Sequence, residues 1–182
     1  ALERLLFVTA PLERTYESMR LSIAIREPGC WFSASYGEGK TRAMEYCAEA
    51  LAKNFPGLPV FAINEHVVPG NELRSFLVNA LTVSHHEKPN SSLTDTLRNR
   101  LSRYWSELAM SSPLGCVVVL LDEGQALRRQ DDSLLKDIGN EIALQGGSLY
   151  IIIFGESPSL DLLVAERLAS FSITGAVDRL YA

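Results

Sequence analysis

The chain has 182 residues, of which 47% are hydrophobic and 21% charged, a composition typical of a folded domain and not of a disordered segment. A formal net charge of −5 excludes nucleic-acid binding through a globally basic surface, so any such contact needs a local basic patch. The longest apolar runs are far shorter than the ~20 residues of a membrane-spanning helix, and the N-terminus has no signal-peptide pattern. We therefore expect a single cytoplasmic domain over residues 1–182 that does not associate with a membrane.

The three cysteines, at positions 30, 47 and 116, are odd in number, widely spaced and set in apolar segments. This pattern favours small buried side chains in a reducing compartment over disulfides or a zinc site.

Apolar periodicity and the positions of Gly and Pro divide the chain into alternating helices and strands. After an N-terminal helical lead-in over residues 1–29, with its helix at about 12–26, the first half contains a strand at 30–33, a helix at 40–53, a strand at 60–64 and a helix capped near Asn71. The second half contains a helix that ends at Ser112-Pro113, a strand at 116–121, a helix between Asp131 and Gly146, a strand at 149–154, a helix at about 159–169 and a short fifth strand at 171–174. This alternation predicts an α/β domain: a parallel sheet of about five strands, helices on both faces, and a ligand site at the carboxyl ends of the strands.

The segment Gly37-Glu38-Gly39-Lys40-Thr41 lies between the first strand and the next helix, as a phosphate-binding loop does. Glycines let backbone N–H groups converge on phosphates, and the N-terminal N–H groups of the following helix point at them. Lys40 is predicted to reach the β- and γ-phosphates, and the Thr41 hydroxyl to bind Mg²⁺. The usual opening glycine is Ala34 here, and a Gly-Lys-Thr triplet alone can also begin a helix for structural reasons. The predicted nucleotide-binding residues of this segment are Ser35, Tyr36, Gly37, Glu38, Gly39, Lys40, Thr41 and Arg42.

A second motif lies at the end of the apolar run 116–121, where Asp122-Glu123 follows a strand predicted to be buried on both faces. In phosphate-loop ATPases an Asp at this place holds the magnesium and the following Glu polarises the attacking water. We therefore predict Asp122 as a metal ligand and Glu123 as the catalytic base, although both carboxylates could also simply begin the loop after a buried strand. The two motifs together favour nucleotide binding, and the lack of an Asn-Lys-x-Asp guanine-reading motif favours ATP.

The order of these pieces resembles the nucleotide-binding core of the AAA+ ATPases, over about residues 5–175. Within that class it resembles the transposition regulators of the TniB, TnsC and MuB type and, more distantly, replication-initiator ATPases. The segments that carry the likeness are the phosphate loop, the run from Val117 to Leu127, which is close to the Asp-Glu-Ala-Gln of those regulators, and 151–155. The chain ends where the helical lid of such proteins would begin, so we expect no lid within it.

The resemblance implies three further roles. Asn64 corresponds to the polar residue that ends the second strand and contacts the catalytic Glu. In such ATPases a polar sensor residue follows the fourth strand, and in this chain Gly155-Glu156-Ser157 occupies that place. A carboxylate that faces a phosphate is electrostatically unfavourable, so Ser157 is preferred over Glu156 as the sensor. The alternative is that both are ordinary loop residues. Arg167, or alternatively Arg179, corresponds to the arginine that reaches a neighbouring subunit's nucleotide, and the other interpretation of Arg167 is a solvated helix residue.

DNA contact is a further candidate property. Arginines 98, 100 and 103 lie near Tyr104 and Trp105, and arginines 128 and 129 follow the acidic strand end, so either group could contact DNA phosphates. The other and more common interpretation is that such arginines form a solvated helix face, with the aromatic side chains in the core.

The residues together predict a Mg²⁺-dependent ATPase, and the resemblance implies that it assembles as a ring or filament of copies on double-stranded DNA. It also implies a task in target selection for DNA transposition, with a transposase or other recombination protein as partner. The alternatives are a nucleotide-gated signalling or scaffold module of the STAND type, with little hydrolysis, and a replication initiator or helicase loader.

Overall fold

The fold is a four-stranded sheet between two helical layers, seen in a computed structural model that describes residues 10–26, 29–64 and 72–174. The strands are β1 (Gly29–Ala34), β2 (Val60–Asn64), β3 (Cys116–Asp122) and β4 (Ser148–Glu156). The helices are α1 (Ala10–Ala24), α2 (Lys40–Asn54), α3 (Glu72–Val83), α4 (Thr94–Ser111), α5 (Arg129–Leu144) and α6 (Ser159–Thr174), and a 3-10 turn spans Gly124–Ala126.

The strands run in the order β1-β4-β3-β2, and every pair is parallel. In the register of β3 with β4, Val119 is paired with Ile151. In the two outer strand pairs, Ala34 of β1 is paired with Glu156 of β4, and Asn64 of β2 with Asp122 of β3. Parallel strands need crossover connections, which the helices supply. The carboxyl ends of all four strands therefore lie at one edge of the sheet.

The alternation of side chains along β3 divides the core in two. Val117, Val119 and Leu121 pack with α3, α4, α5 and α6 on one face. Cys116, Val118 and Leu120 pack with α1 and α2 on the other. Because both faces are covered, all seven residues of β3 are buried, which explains its unbroken apolar sequence.

The predicted fifth strand is wrong: residues 171–174 are the last turn of α6. No Gly or Pro lies between Pro158 and Gly175, so nothing in the sequence ends the helix at 169. The predicted cap Asn71 and the alternative arginine Arg179 lie outside the described residues. Over the described ranges, no helix combines the length and apolar character needed to cross a bilayer.

Candidate nucleotide-binding site

The loop between β1 and α2 has the backbone that the glycine pattern predicts. Gly37 and Gly39 have φ of 81° and 82°, in the left-handed region that residues with a Cβ rarely adopt. A Cβ at either position would meet nothing within 4 Å, so conformation and not space requires glycine here, and the loop faces open volume. Gly39 is also the N-cap of α2 and offers no side-chain cap, which leaves the first N–H groups of the helix free for an anion.

Ala34, which replaces the usual opening glycine, is the last residue of β1 and pairs with Glu156. It has no positive φ, because the strand runs up to this position and the loop bends only afterwards. Alanine therefore fits the extended backbone at this position.

Polar contacts hold the loop from within. The ammonium of Lys40 donates to the carbonyls of Ala34, at 3.2 Å, and Ser35, at 3.0 Å. Glu38 accepts the N–H of Ser35 at 2.9 Å with its carboxylate, and its own N–H donates to the Ser35 carbonyl at 3.3 Å. Tyr36, at the tip, is 88% exposed. Arg42 lies on the exposed side of α2, 3.8 Å from the Glu45 carboxylate.

Thr41 and Asp122, the two predicted metal ligands, contact each other directly. The Thr41 hydroxyl donates to Asp122 Oδ2 at 2.7 Å, and the other carboxylate oxygen accepts the N–H of Glu123 at 3.0 Å. Asp122 is only 4% exposed. A hydroxyl and a carboxylate are hard oxygen ligands of the kind Mg²⁺ prefers, so these residues fit a magnesium ion. Within the described ranges no three His, Cys, Asp or Glu side chains group into a metal site, so such an ion would depend on phosphate and water oxygens as well.

Glu123 has a left-handed backbone, with φ of 55°, and caps the turn Gly124–Ala126. Its carboxylate accepts a hydrogen bond from the side-chain amide of Gln125 at 2.6 Å. Glu123 thus lies exposed at the strand edge beside Asp122, with one oxygen already oriented by a neighbour. No motif in the sequence predicts a role for Gln125.

The predicted sensor Ser157 follows β4 next to the phosphate loop. Its N–H donates to the Ala34 carbonyl at 3.0 Å, and its hydroxyl donates to Asp161 at 2.7 Å. Asp161 also accepts the hydroxyl of Ser33 at 2.7 Å, and these two hydrogen bonds hold the pKa of its carboxyl below the ordinary value. Asp161 thereby connects the ends of β1 and β4. Sequence reasoning missed it, although an acid in the first turn of a helix was a visible signal.

Asn64 ends β2 in register with Asp122, and its carbonyl accepts from the Asn79 side chain at 2.7 Å. The structure therefore brings it to the same edge as both motifs.

Arg167, in contrast, is turned into its own chain. It is 6% exposed, its Nε lies 2.7 Å from Asp132 Oδ2, and its Nη2 donates to the Leu127 carbonyl at 3.4 Å. A side chain that reaches a neighbouring subunit must be accessible, so the position of Arg167 does not support that role. Arg167 is also not a solvated helix residue, which was the other interpretation of it, because its side chain is buried.

The arginines considered for DNA contact all have partners within the chain. Arg98 pairs with Asp137, Arg103 with Glu107, and Arg129 with Glu166. The nearby aromatic residues belong to the fold: Trp105 is buried and donates to the Ser84 hydroxyl at 2.8 Å. Of the other two arginines, Arg100 donates to the carbonyls of Lys88 and Asn90, and Arg128 pairs with Asp131 and Glu72.

A cleft of about 410 Å³ adjoins the phosphate loop on the α1 side of the sheet. Apolar side chains of α1, α2, β1 and β4 line one part, and Glu38, Gly39 and Lys40 line the part next to the loop. The apolar residues are Pro11, Leu12, Ala34, Phe32, Ala43 and Phe154. The cleft therefore combines an apolar wall with the backbone of the predicted phosphate-binding loop, as sites for small ligands combine apolar and polar groups. Its α1 residues were not predicted from the sequence.

No known protein family matches the chain, and no curated protein does. Solved structures do match. The ORC2 protein of Aeropyrum pernix, in ADPNP and ADP complexes, has a TM-score of 0.61 over 93% of this chain, at 16% identity. A chain of Drosophila ORC bound to DNA matches over 88% of this chain and 85% of its own length, with a TM-score of 0.53 and 7% identity.

The domain shares the fold of these two structures, a parallel sheet with helices on both faces, and they are AAA+ P-loop ATPases. The Pif1 helicase of Candida albicans also matches, with a TM-score of 0.51 over 83% of this chain and 33% of its own, at 12% identity. At these identities the likeness extends to the fold alone. This chain spans 46% of the length of the ORC2 protein. None of these three structures is a transposition regulator. The resemblance to transposition regulators therefore stays a prediction.

Proposed function

We propose that this AAA+ domain is a magnesium-dependent ATPase switch that assembles with copies of itself on double-stranded DNA. The observation that carries the proposal is the hydrogen bond from Thr41 to Asp122, 2.7 Å long, at the foot of a loop whose glycines have the required left-handed backbone. It joins the two motifs at one place, next to an exposed Glu123. Phosphate binding, metal binding and water activation are then all available within one site.

The loop would bind the phosphates first. The uncapped N–H groups at the start of α2 point toward an anion, and Lys40 would exchange its two carbonyl contacts for phosphate oxygens. The adjoining cleft, with its apolar wall, has room for a base. ATP is the proposed nucleotide because the sequence has no guanine-reading motif.

Thr41 and Asp122 would hold Mg²⁺, which neutralises charge on the phosphate oxygens when bound. Glu123 would orient a water molecule and take its proton as the water oxygen bonds to the γ-phosphorus and the bond to the β-phosphate oxygen breaks, which gives ADP and phosphate. Asn64 and Ser157, at the ends of β2 and β4, are proposed to contact Glu123 and the γ-phosphate, respectively. Ser157 would first have to leave Asp161.

Assembly and DNA binding rest on fold likeness to ORC chains, one of which is bound to DNA. A role for Arg167 at a neighbour's nucleotide requires that it leave Asp132, so we propose it only for an assembled state.

Among biological tasks, replication initiation or helicase loading fits the matched structures as well as transposition target selection with a transposase does. A STAND-type signalling module, with tight binding and little turnover, is the candidate of a different class. A cytoplasmic location also stays a prediction.

The experiment is ATP turnover with and without double-stranded DNA, on the wild type, Glu123→Gln and Lys40→Ala, with assembly followed by sedimentation. We expect DNA-stimulated turnover that Glu123→Gln loses while it retains ATP-dependent assembly. Lys40→Ala, the control, should lose both because it no longer binds the phosphates. Tight nucleotide binding with negligible turnover and no response to DNA would favour the signalling module instead.

A further inference from the structure

Gln125 links the predicted catalytic base to the end of β4. Its Nε2 donates to Glu123 Oε2 at 2.6 Å, and its Oε1 accepts the backbone N–H of Glu156 at 2.9 Å. A backbone N–H can only donate, so the amide oxygen must face Glu156 and the NH₂ group must face Glu123. The orientation of the Gln125 amide is therefore fixed by chemistry, and both of its ends are used.

A glycine on β4 leaves room for the Gln125 amide. A Cβ on Gly155 would lie 2.6 Å from Gln125 Oε1, so only glycine at this position allows the amide to reach β4. A Cβ on Gly124 would lie 2.1 Å from a methyl group of Ile153. The turn that carries Gln125 thus packs directly against β4 and cannot slide along it.

The same stretch of β4 contacts the phosphate loop. Ser157, next to Glu156, donates its N–H to the carbonyl of Ala34, where the loop begins. A series of hydrogen bonds therefore connects the loop to Glu123. It runs from Ala34 to Ser157, along the chain to Glu156, from Glu156 to Gln125, and from Gln125 to the Glu123 carboxylate. A change at the loop on phosphate binding has a direct route to the base.

We propose that Gln125 is a positioning residue, which orients the Glu123 carboxylate for water activation and couples that orientation to the end of β4. This inference rests on the proposed ATPase function. A purely structural role would be to fasten the turn to β4, for which the contact with Glu156 suffices. The proposal differs in requiring the NH₂ group, which has no part in that contact.

The test compares Gln125→Glu with Gln125→Ala, the wild type and Glu123→Gln. Gln125→Glu keeps an oxygen for the Glu156 N–H but replaces the donor toward Glu123 with a second carboxylate. We expect kcat for ATP to fall by about tenfold or more, since a lost hydrogen bond to a charged group has that effect on a rate. KM and the affinity for a fluorescent ATP analogue should stay within about twofold, because Gln125 does not contact the phosphate loop.

In Gln125→Glu the new carboxylate repels that of Glu123, and this alone could lower kcat; Gln125→Ala removes the hydrogen bond without adding a charge. Thermal unfolding of each variant shows whether the protein is still folded. We expect kcat to fall in Gln125→Ala as well. In the Glu123→Gln background, neither Gln125 substitution should lower the residual turnover further, because the group that Gln125 positions is gone.

Two results separate the inference from the proposed function. If wild-type turnover depends on Glu123 but both Gln125 variants keep the wild-type kcat, or lower it equally in both backgrounds, the positioning role is wrong while the ATPase stands. If the wild type and Glu123→Gln turn over ATP equally, the proposed function fails and the inference with it.

Discussion

The Thr41 hydroxyl donates to Asp122 Oδ2 at 2.7 Å, across 81 positions of sequence. The contact requires that the start of α2 lie over the carboxyl end of β3, although β4 separates β3 from β1 in the sheet. Because Asp122 is buried and its other oxygen accepts the Glu123 N–H, the carboxylate has little freedom to turn. The pair therefore holds two hard oxygen donors in a fixed relation.

Removing the Thr41 hydroxyl should impair turnover more than binding. In Thr41→Ala we expect magnesium-dependent ATP turnover to fall by about tenfold or more, because one proposed metal ligand and the partner of a buried carboxylate are both lost. Thr41→Ser, the matched control, keeps the hydroxyl and should retain most of the activity. Turnover as a function of Mg²⁺ concentration measures this, and equal activity in Thr41→Ala and Thr41→Ser would contradict the assignment.

The contact between Asp132 and Arg167 should stabilise the fold. Both side chains are nearly buried, so Asp132→Ala takes the nearest carboxylate from a buried cation and leaves the more exposed Glu166 at 3.6 Å. We expect a loss of about 3–5 kcal/mol in the free energy of unfolding. The control is Glu107→Ala, which breaks the exposed pair with Arg103 and should cost under ~1 kcal/mol. Urea unfolding of both variants measures the difference. A cost for Asp132→Ala as small as the control's would mean that Arg167 finds water or another partner readily, as a residue that acts on a neighbour must.

The sequence was sufficient to place the side chains of the two motifs, although the motifs themselves lie far apart in the chain. Lys40, Thr41 and Asp122 were predicted because glycine spacing and a buried strand that ends in an acid determine where those side chains go. Gln125 and Asp161 were missed because each has a partner far away in sequence, at 31 and 128 positions, respectively. Only the pairing of β4 with β3 and with β1 brings those partners near. Arg167 was assigned by its place in the chain, but its burial depends on how α6 packs.

Two glycine substitutions should have opposite effects on stability. Gly124→Ala would place a Cβ 2.1 Å from Ile153 Cγ2, so we expect a cost of about 1–3 kcal/mol as the turn and β4 separate. Gly139→Ala, inside α5, meets nothing closer than 3.8 Å and should stabilise the protein by up to ~1 kcal/mol through helix propensity. Thermal unfolding of the two variants checks both signs, and a destabilised Gly139→Ala would show that α5 packs more tightly than described.

Stability should also fall in alkali because two thiols are buried. Burial, and to a lesser extent Cys30, raises the pKa of Cys47 to about 12, and burial raises the pKa of Cys116 to about 11, against an ordinary value of 9.0. The folded thiols keep their protons while the unfolded ones ionise, so this contribution is complete below pH 9 and is lost progressively as pH rises to about 11 for Cys116 and about 12 for Cys47.

At pH 10 the Cys47 thiol alone should lower the free energy of unfolding by roughly 1 kcal/mol relative to pH 8. Lysine and tyrosine also titrate in this range, so the informative quantity is the difference between the wild type and Cys47→Ala in urea unfolding at each pH. The variant is expected to be less stable at pH 8 because a buried side chain is shortened, and the gap should narrow as pH rises. A gap that stays constant from pH 8 to pH 10 would show that Cys47 ionises as readily in the folded chain as in the unfolded one.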